Sequence, residues 1–290
     1  MKFSTYYNLY YKWKFKKPYA AKKKKFFLNL IKLIFLPFKY LLDSFFLPPK
    51  INLDSYALKN NHLFRFSLDD LFQHFNSDKG SFATFQYMQA SKKKKTKIKS
   101  MNYSGFYEKK LSKIRNNKLD ILEIGNFYGN GIASFYFYFK ESNLFAYDIF
   151  PDLFRFKSKR IKSRHINSSS EKSIKNNFFN NSQKFDIIID DASHTYKDQI
   201  ITFFMLFQKI KPGGFFIVED LDVPDKMAQY NPENSTKTLK YCLTKLKNSE
   251  DFSHNLINEA DKSYVKNNFL NIDVYMGNDN EIAFIEKKLN

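Results

Sequence analysis

A chain of 290 residues of which 43% are apolar can bury a substantial core and does not have the composition of a disordered polymer. Its single cysteine, Cys242, excludes an internal disulfide framework, and no Cys/His spacing resembles a zinc site; both fit a reducing, cytoplasmic setting. The net charge of +19 is uneven, since residues 1–50 hold twelve lysines against Asp43 alone, and no nucleic-acid recognition motif accompanies them.

In chain order, residues 1–50 begin as a mixture of lysines and aromatics and continue as FFLNLIKLIFLPFKYLLDSFFLPP. Wound as a helix, this second half gathers Asn29, Lys32, Lys39 and Asp43 into a sector of about 80° and leaves a broad face of Phe, Leu and Ile. Lys32, Pro37, Lys39 and Asp43 argue against a spanning helix, which needs about 20 apolar residues, and no small-residue cleavage site marks a signal peptide. The pattern suits either an anionic membrane surface, with the protein peripheral on the inner face, or a helix packed on the protein's own core or on a partner. Residues 51–115 read as helical and irregular, with Ser67 capping the helix in SLDDLFQHF and Lys92–Lys95 in an exposed loop.

From residue 116 strands alternate with helices: 119–125, 143–149, a weak 164–167, 184–191 and 214–220. A closing hairpin joins 271–277 to 281–288 through Asn278, Asp279 and Asn280. The expectation is an α/β fold: a doubly wound, mostly parallel Rossmann-like sheet over 116–290 with a C-terminal antiparallel hairpin, preceded by a helical N-terminal extension divided into 1–50 and 51–115.

Two clusters carry chemistry. In LEIGNFYGNG, Glu123 and Gly125 end the first strand, and Gly129 and Gly131 lie in the turn, where glycines let a ligand approach the backbone. A carboxylate inside this turn repels a pyrophosphate but tolerates a cationic amino-acid group, which favours S-adenosylmethionine over a dinucleotide. Asp148, at the end of the second strand, is placed for ribose hydroxyls. The second cluster is IIIDDASH and IVED, which set Asp190, Asp191, His194, Glu219 and Asp220 at two strand ends. So many carboxylates at close range call for a cation, and oxygen donors suit Mg²⁺. His62, His74, His165 and His254 have no partner at a suggestive spacing, and Asp222 and Asp225 are expected in a mobile loop.

Taken in order, Glu123-x-Gly125-x-x-x-Gly129-x-Gly131, Asp148, DDASH, KPGG and VED resemble class I S-adenosylmethionine-dependent methyltransferases. The resemblance is most marked to the metal-dependent sugar O-methyltransferases of the macrolide type and to the cephalosporin-hydroxylase and rhamnosyl O-methyltransferase group. It spans roughly residues 70–225 and extends upstream to NSDKG (76–80) and NYSGFYEKKL (102–111); it departs from the family at Ala192, often Gly, and at Met101, often His. It implies a seven-stranded methyltransferase sheet, S-adenosyl-L-methionine and Mg²⁺ as cofactors, and a sugar or glycan acceptor. Asp191, Glu219 and Asp220 would be metal ligands, His194 the general base, and Glu123, Gly125, Gly129, Gly131, Asp148 and Asp190 the cofactor contacts. Two alternatives stay open: a nicotinamide-dependent oxidoreductase on the same topology, and a non-catalytic membrane-associated protein with a vestigial cofactor fold. Oligomeric state is left open.

Overall fold

The computed structural model describes residues 2–8, 24–45, 47–84 and 97–289. Much of the lysine and aromatic mixture and the Lys92–Lys95 run lie outside them. The described N-terminal residues are helical at 3–8, in α1 (Lys24–Ile34) and in α2 (Leu36–Phe45), a break that Pro37 explains because its ring cannot continue a helix from the preceding turn. Three helices follow, α3 (Leu53–Lys59), α4 (Leu68–Phe75) and α5 (Ser104–Leu111). Ser67 caps α4 as its sequence predicts, its hydroxyl accepting from the Asp70 amide at 3.1 Å.

The remainder forms one seven-stranded sheet. Its strands are β1 (Asp120–Ile124), β2 (Asn143–Asp148), β3 (Ile161–His165), β4 (Phe185–Asp190), β5 (Ile210–Val218), β6 (Phe269–Met276) and β7 (Glu281–Lys287). Between them run α6 (Asn130–Tyr138), α7 (Glu171–Phe178), α8 (Tyr196–Leu206), α9 (Leu239–Lys247) and α10 (Glu259–Asn268). In space the order is β6-β7-β5-β4-β1-β2-β3; β7 is antiparallel to both neighbours, and the five strands from β5 to β3 are mutually parallel. Because successive connections leave β1 in one direction and return to β4 on its other side, the switch point lies between the carboxyl ends of β1 and β4. Open α/β sheets bind ligands there.

Alternation along each strand divides the apolar residues between two cores. Leu122, Ile124, Ile188, Phe216 and Val218 face α8 and α9, whereas Ile121, Ile187, Ile189, Phe215 and Ile217 face the helices of residues 51–111 and α6. The extension is therefore packed directly on one face of the sheet, with Phe72, Tyr103 and Tyr107 fully buried. At about 25 cal/mol per Å² of apolar surface, each such aromatic contributes several kcal/mol to holding the layer in place.

Two strands differ from the sequence reading. β3 begins at Ile161 and ends at His165, earlier than 164–167, because it is an edge strand whose residues are mostly exposed and carry no apolar pattern. β5 begins at Ile210, before the expected 214, because Lys211–Gly214 is absorbed as an irregularity: pairing with β4 shifts between Phe185↔Ile210 and Ile187↔Phe215, and Gly213 takes φ +72°. No helix among the described residues is long and apolar enough to cross a membrane.

Candidate active site

The same alternation that sorts the core builds the site. Glu123, Asp191 and Glu219 continue the register of Ile121, Ile189 and Ile217, so all three carboxylates emerge on the face covered by the extension. The extension answers them with Lys79. Its ammonium lies 2.5 Å from Asp191 Oδ2, 2.8 Å from Glu219 Oε2 and 3.3 Å from Glu123 Oε1, and its side chain is 4% exposed. Burial works against this charge, and Asp191, Glu219 and Glu123 together overcome it, holding Lys79 protonated well above the usual lysine range.

The aromatic helix α5 and its N-cap supply donors. Tyr107 donates to Glu219 Oε1 at 2.5 Å, and Tyr103 donates to Asp220 Oδ1 at 2.9 Å, where Asn280 Nδ2 also donates at 3.1 Å. Burial raises both phenols above their ordinary pKa, so each stays a donor. Lys79, Tyr103, Tyr107 and Asn280 thus join the site although none was singled out as a site residue from the sequence. Lys79 lies in NSDKG and both tyrosines lie in NYSGFY, the upstream segments that carried the family likeness.

His194 and Asp220 stand at the mouth of this cluster. His194 Nε2 lies 3.7 Å from Asp191 Oδ1 and 3.6 Å from Asp220 Oδ2, beyond hydrogen-bond reach but within ion-pair distance. Asp191, His194 and Asp220 each offer one ligand atom, all within 4.8 Å of one another, and form a group able to hold a cation. Both His194 (φ +54°) and Asp220 (φ +55°) have left-handed backbones, a cost of about 1–3 kcal/mol each that persists where surrounding structure fixes side-chain direction. Gln199 helps fix Asp220 by donating to its carbonyl at 3.0 Å.

At the glycine turn, a Cβ on Gly125 (φ +90°) would lie 2.1 Å from the Asp191 carbonyl oxygen, and one on Gly131 would lie 2.9 Å from Glu123 Oε1. Only glycine lets β1 and β4 approach this closely. Gly129, also in a left-handed conformation, opens α6 against the ring of Phe154. Asp148 accepts from the Phe127 amide at 2.8 Å and the Phe150 amide at 2.7 Å, which closes the turn around its carboxylate. Burial pushes Glu123 up to about 7 despite Lys79, and pushes Asp190 up to about 7 despite His194. Glu123 Oε2 and Asn126 Oδ1 are buried acceptors with no hydrogen-bond partner among the described residues.

The remaining residues considered from sequence fall outside the cluster. His254 is fixed by backbone groups and His74 contacts the Tyr56 hydroxyl. Asp222 is buried, accepting from the Glu281 amide at 2.9 Å, and Asp225 belongs to a helical turn at Val223–Lys226. A cleft of about 430 Å³ between α7, α8 and the start of α10 contains none of the site residues.

No protein-family model matches the chain. It is 28% identical over 125 residues to an L-olivosyl-oleandolide 3-O-methyltransferase of Streptomyces antibioticus, covering 41% of this chain and 32% of that protein. It is 30% identical over 115 residues to a mycinamicin VI 2''-O-methyltransferase of Micromonospora griseorubida, covering 37% and 27%. The chain thus spans about a third of the length of the curated relatives it matches. Among solved structures, the MycE methyltransferase of the mycinamycin pathway, in complex with Mg and SAH, superposes with a TM-score of 0.56 at 21% identity over 77% of this chain and 55% of that one. The chain is therefore similar in sequence to sugar O-methyltransferases over about two fifths of its length and shares the Rossmann-like fold of the MycE methyltransferase.

Proposed function

We propose that this chain is an S-adenosylmethionine-dependent O-methyltransferase that uses Mg²⁺ to methylate a hydroxyl of a sugar, within a cell-surface polysaccharide or its lipid-linked precursor. The observation that carries the reading is the convergence of Glu123, Asp191 and Glu219 on one face of the switch point, with His194 and Asp220 at its mouth. Residues 1–50 would place the enzyme at the inner, anionic face of a membrane.

The residues fit both cofactors. The unpartnered oxygens of Glu123 and Asn126 are acceptors suited to a donor such as an amino-acid ammonium, and Gly125 lets the Asp191 backbone close on the turn beside them. Asp148 and Asp190 complete the cofactor side. On the other side Asp191 and Asp220 are oxygen donors of the kind a hard divalent cation takes, with Tyr103 orienting Asp220. Glu219 lies behind them with its two oxygens held by Lys79 and Tyr107, and would join the ligands only on release from Lys79. When bound, S-adenosylmethionine supplies an electrophilic methyl group and Mg²⁺ lowers the pKa of a chelated hydroxyl.

The chain's own contribution is proton handling and placement. A sugar hydroxyl is a very weak acid, so its attack needs a base within hydrogen-bond reach, and His194 is the group at the mouth whose ring can take that proton. Asp191 and Asp220, on either side of its Nε2, offset the charge of the imidazolium that results. Lys79 holds the inner carboxylates apart and fixed. A nicotinamide reading is disfavoured by Glu123, a carboxylate beside Gly131 of the glycine turn that would repel a pyrophosphate.

The test is transfer of the labelled methyl group of S-adenosylmethionine to a panel of deoxysugar and rhamnosyl glycosides, with Mg²⁺ or with a chelator. Transfer that needs Mg²⁺ and is lost in His194→Ala supports the proposal. Metal-independent transfer, or full turnover by His194→Ala, overturns the assigned roles.

A further inference from the structure

Helices α1 and α2 leave their apolar face in water. In a globular protein the apolar stripe faces the core. Here Asn29 and Asp43 are turned inward and buried, Lys32 and Lys39 of the same polar sector stay at the surface, and Phe35, Phe38 and Phe45 are 61%, 68% and 85% exposed. Ile31, Ile34 and Leu42 are exposed beside them. Such a contiguous apolar face on a soluble surface marks an interaction site.

The polar interior is what fixes the helices in this orientation. Tyr6 donates to Asp43 at 2.6 Å, and Lys39 pairs with the same carboxylate. The helix at residues 3–8 is in turn fastened to the catalytic layer: the Lys2 amide donates to Asp152 at 2.6 Å and the Thr5 hydroxyl donates to it at 2.8 Å. Asp152 lies in the turn that follows β2 and Asp148, so the helix at residues 3–8, which holds Asp43 of α2, is tied to the carboxyl end of β2.

We infer that α1 and α2 form a docking surface for an anionic lipid bilayer, lying in its interface with the phenylalanine face down. Charge complementarity selects this occupant. Residues 1–50 carry twelve lysines and one acidic residue, which an anionic headgroup layer attracts, whereas a second copy of the same surface would meet it with like charge. Helices of 11 and 10 residues are too short to span a hydrocarbon core that needs about 20, and their length suits an in-plane position. The inference makes the membrane placement above specific to named residues, and it rests on these helices alone, not on methyl transfer.

The experiment is cosedimentation of the full chain with sucrose-loaded vesicles of phosphatidylcholine, with or without phosphatidylglycerol, alongside the double variant Phe35→Glu/Phe38→Glu. Both positions are exposed, so thermal midpoint and the far-ultraviolet circular dichroism spectrum serve as controls for folding. The expected result is sedimentation with phosphatidylglycerol vesicles only, weakened on the order of tenfold by raising salt from 0.1 to about 0.5 M and by the double variant. Equal sedimentation of parent and variant, or none with anionic vesicles, overturns the inference. So does a dimer in light scattering that the double variant dissociates, since a second copy would then be the occupant.

Discussion

Replacing Lys79 by methionine removes the one cation held among three carboxylates at 2.5, 2.8 and 3.3 Å. The methionine fills most of the volume, so the loss is electrostatic. Taking one partner from a buried ion pair costs about 3–5 kcal/mol, because the partner left behind is a desolvated charge. For a chain of this size about 2–4 °C of melting temperature accompanies each kcal/mol, so Lys79→Met should melt about 10 °C below the parent. The deficit should also depend on pH. Glu123 is already raised to about 7 by burial with Lys79 present and Glu219 is raised as well, and without the lysine both bind protons more tightly in the folded state than in the unfolded chain. A folded pKa above the unfolded one means stability is present at low pH and lost as pH rises, so the deficit should be small near pH 5 and large near pH 8. Added Mg²⁺ should recover part of it, since Asp191 is shared between Lys79 and the candidate cation group. Thermal melts followed by circular dichroism at the two pH values, with and without Mg²⁺, read all three effects. A variant that melts within about 1 °C of the parent at pH 8 would refute the reasoning, because Lys79 would then not be neutralising the cluster.

Other outcomes follow from the same geometry. Gly125→Ala should be destabilised by about 3 kcal/mol or more and fail to bind S-adenosylmethionine, because its Cβ meets the Asp191 carbonyl oxygen at 2.1 Å and its φ is +90°; a chemical-denaturation curve matching the parent would contradict this. His194→Ala should lose about 10²- to 10⁴-fold in turnover while cofactor affinity stays within a factor of a few, as measured by single-turnover transfer and by titration. Because the Glu123 carboxyl is raised to about 7, its anionic form grows across pH 6–8, and S-adenosylmethionine affinity should rise over that range; a flat profile would detach Glu123 from the cofactor ammonium.

The sheet was legible because its strands are buried on both faces and therefore read as continuous apolar runs, from Ile187 to Ile189 and from Phe215 to Val218. β3 was legible only in part, since an edge strand reading IKSRH has no pattern to give it away. The acidic residues of the crevice were visible as charges interrupting apolar runs, and strand alternation explains why Asp191 and Glu219 share a face while Asp190 points to the other side. Lys79 was not visible as their counter-charge. One lysine among many carries no mark in a chain this basic, and only packing of α4 and α5 onto the sheet brings it across a sequence separation of 112 residues to Asp191. The N-terminal helices show the opposite case. Their amphipathic pattern was plain in the sequence, but which stripe faces the protein depends on Tyr6 and Asp43, a contact across 37 residues.

If the crevice between β1 and β4 is the S-adenosylmethionine site proposed above, calorimetric titration of S-adenosylmethionine into the full chain, with NAD as the parallel ligand and each with and without Mg²⁺, should show saturable binding of S-adenosylmethionine and none of NAD. Binding of NAD in its place, or of neither, would contradict that proposal.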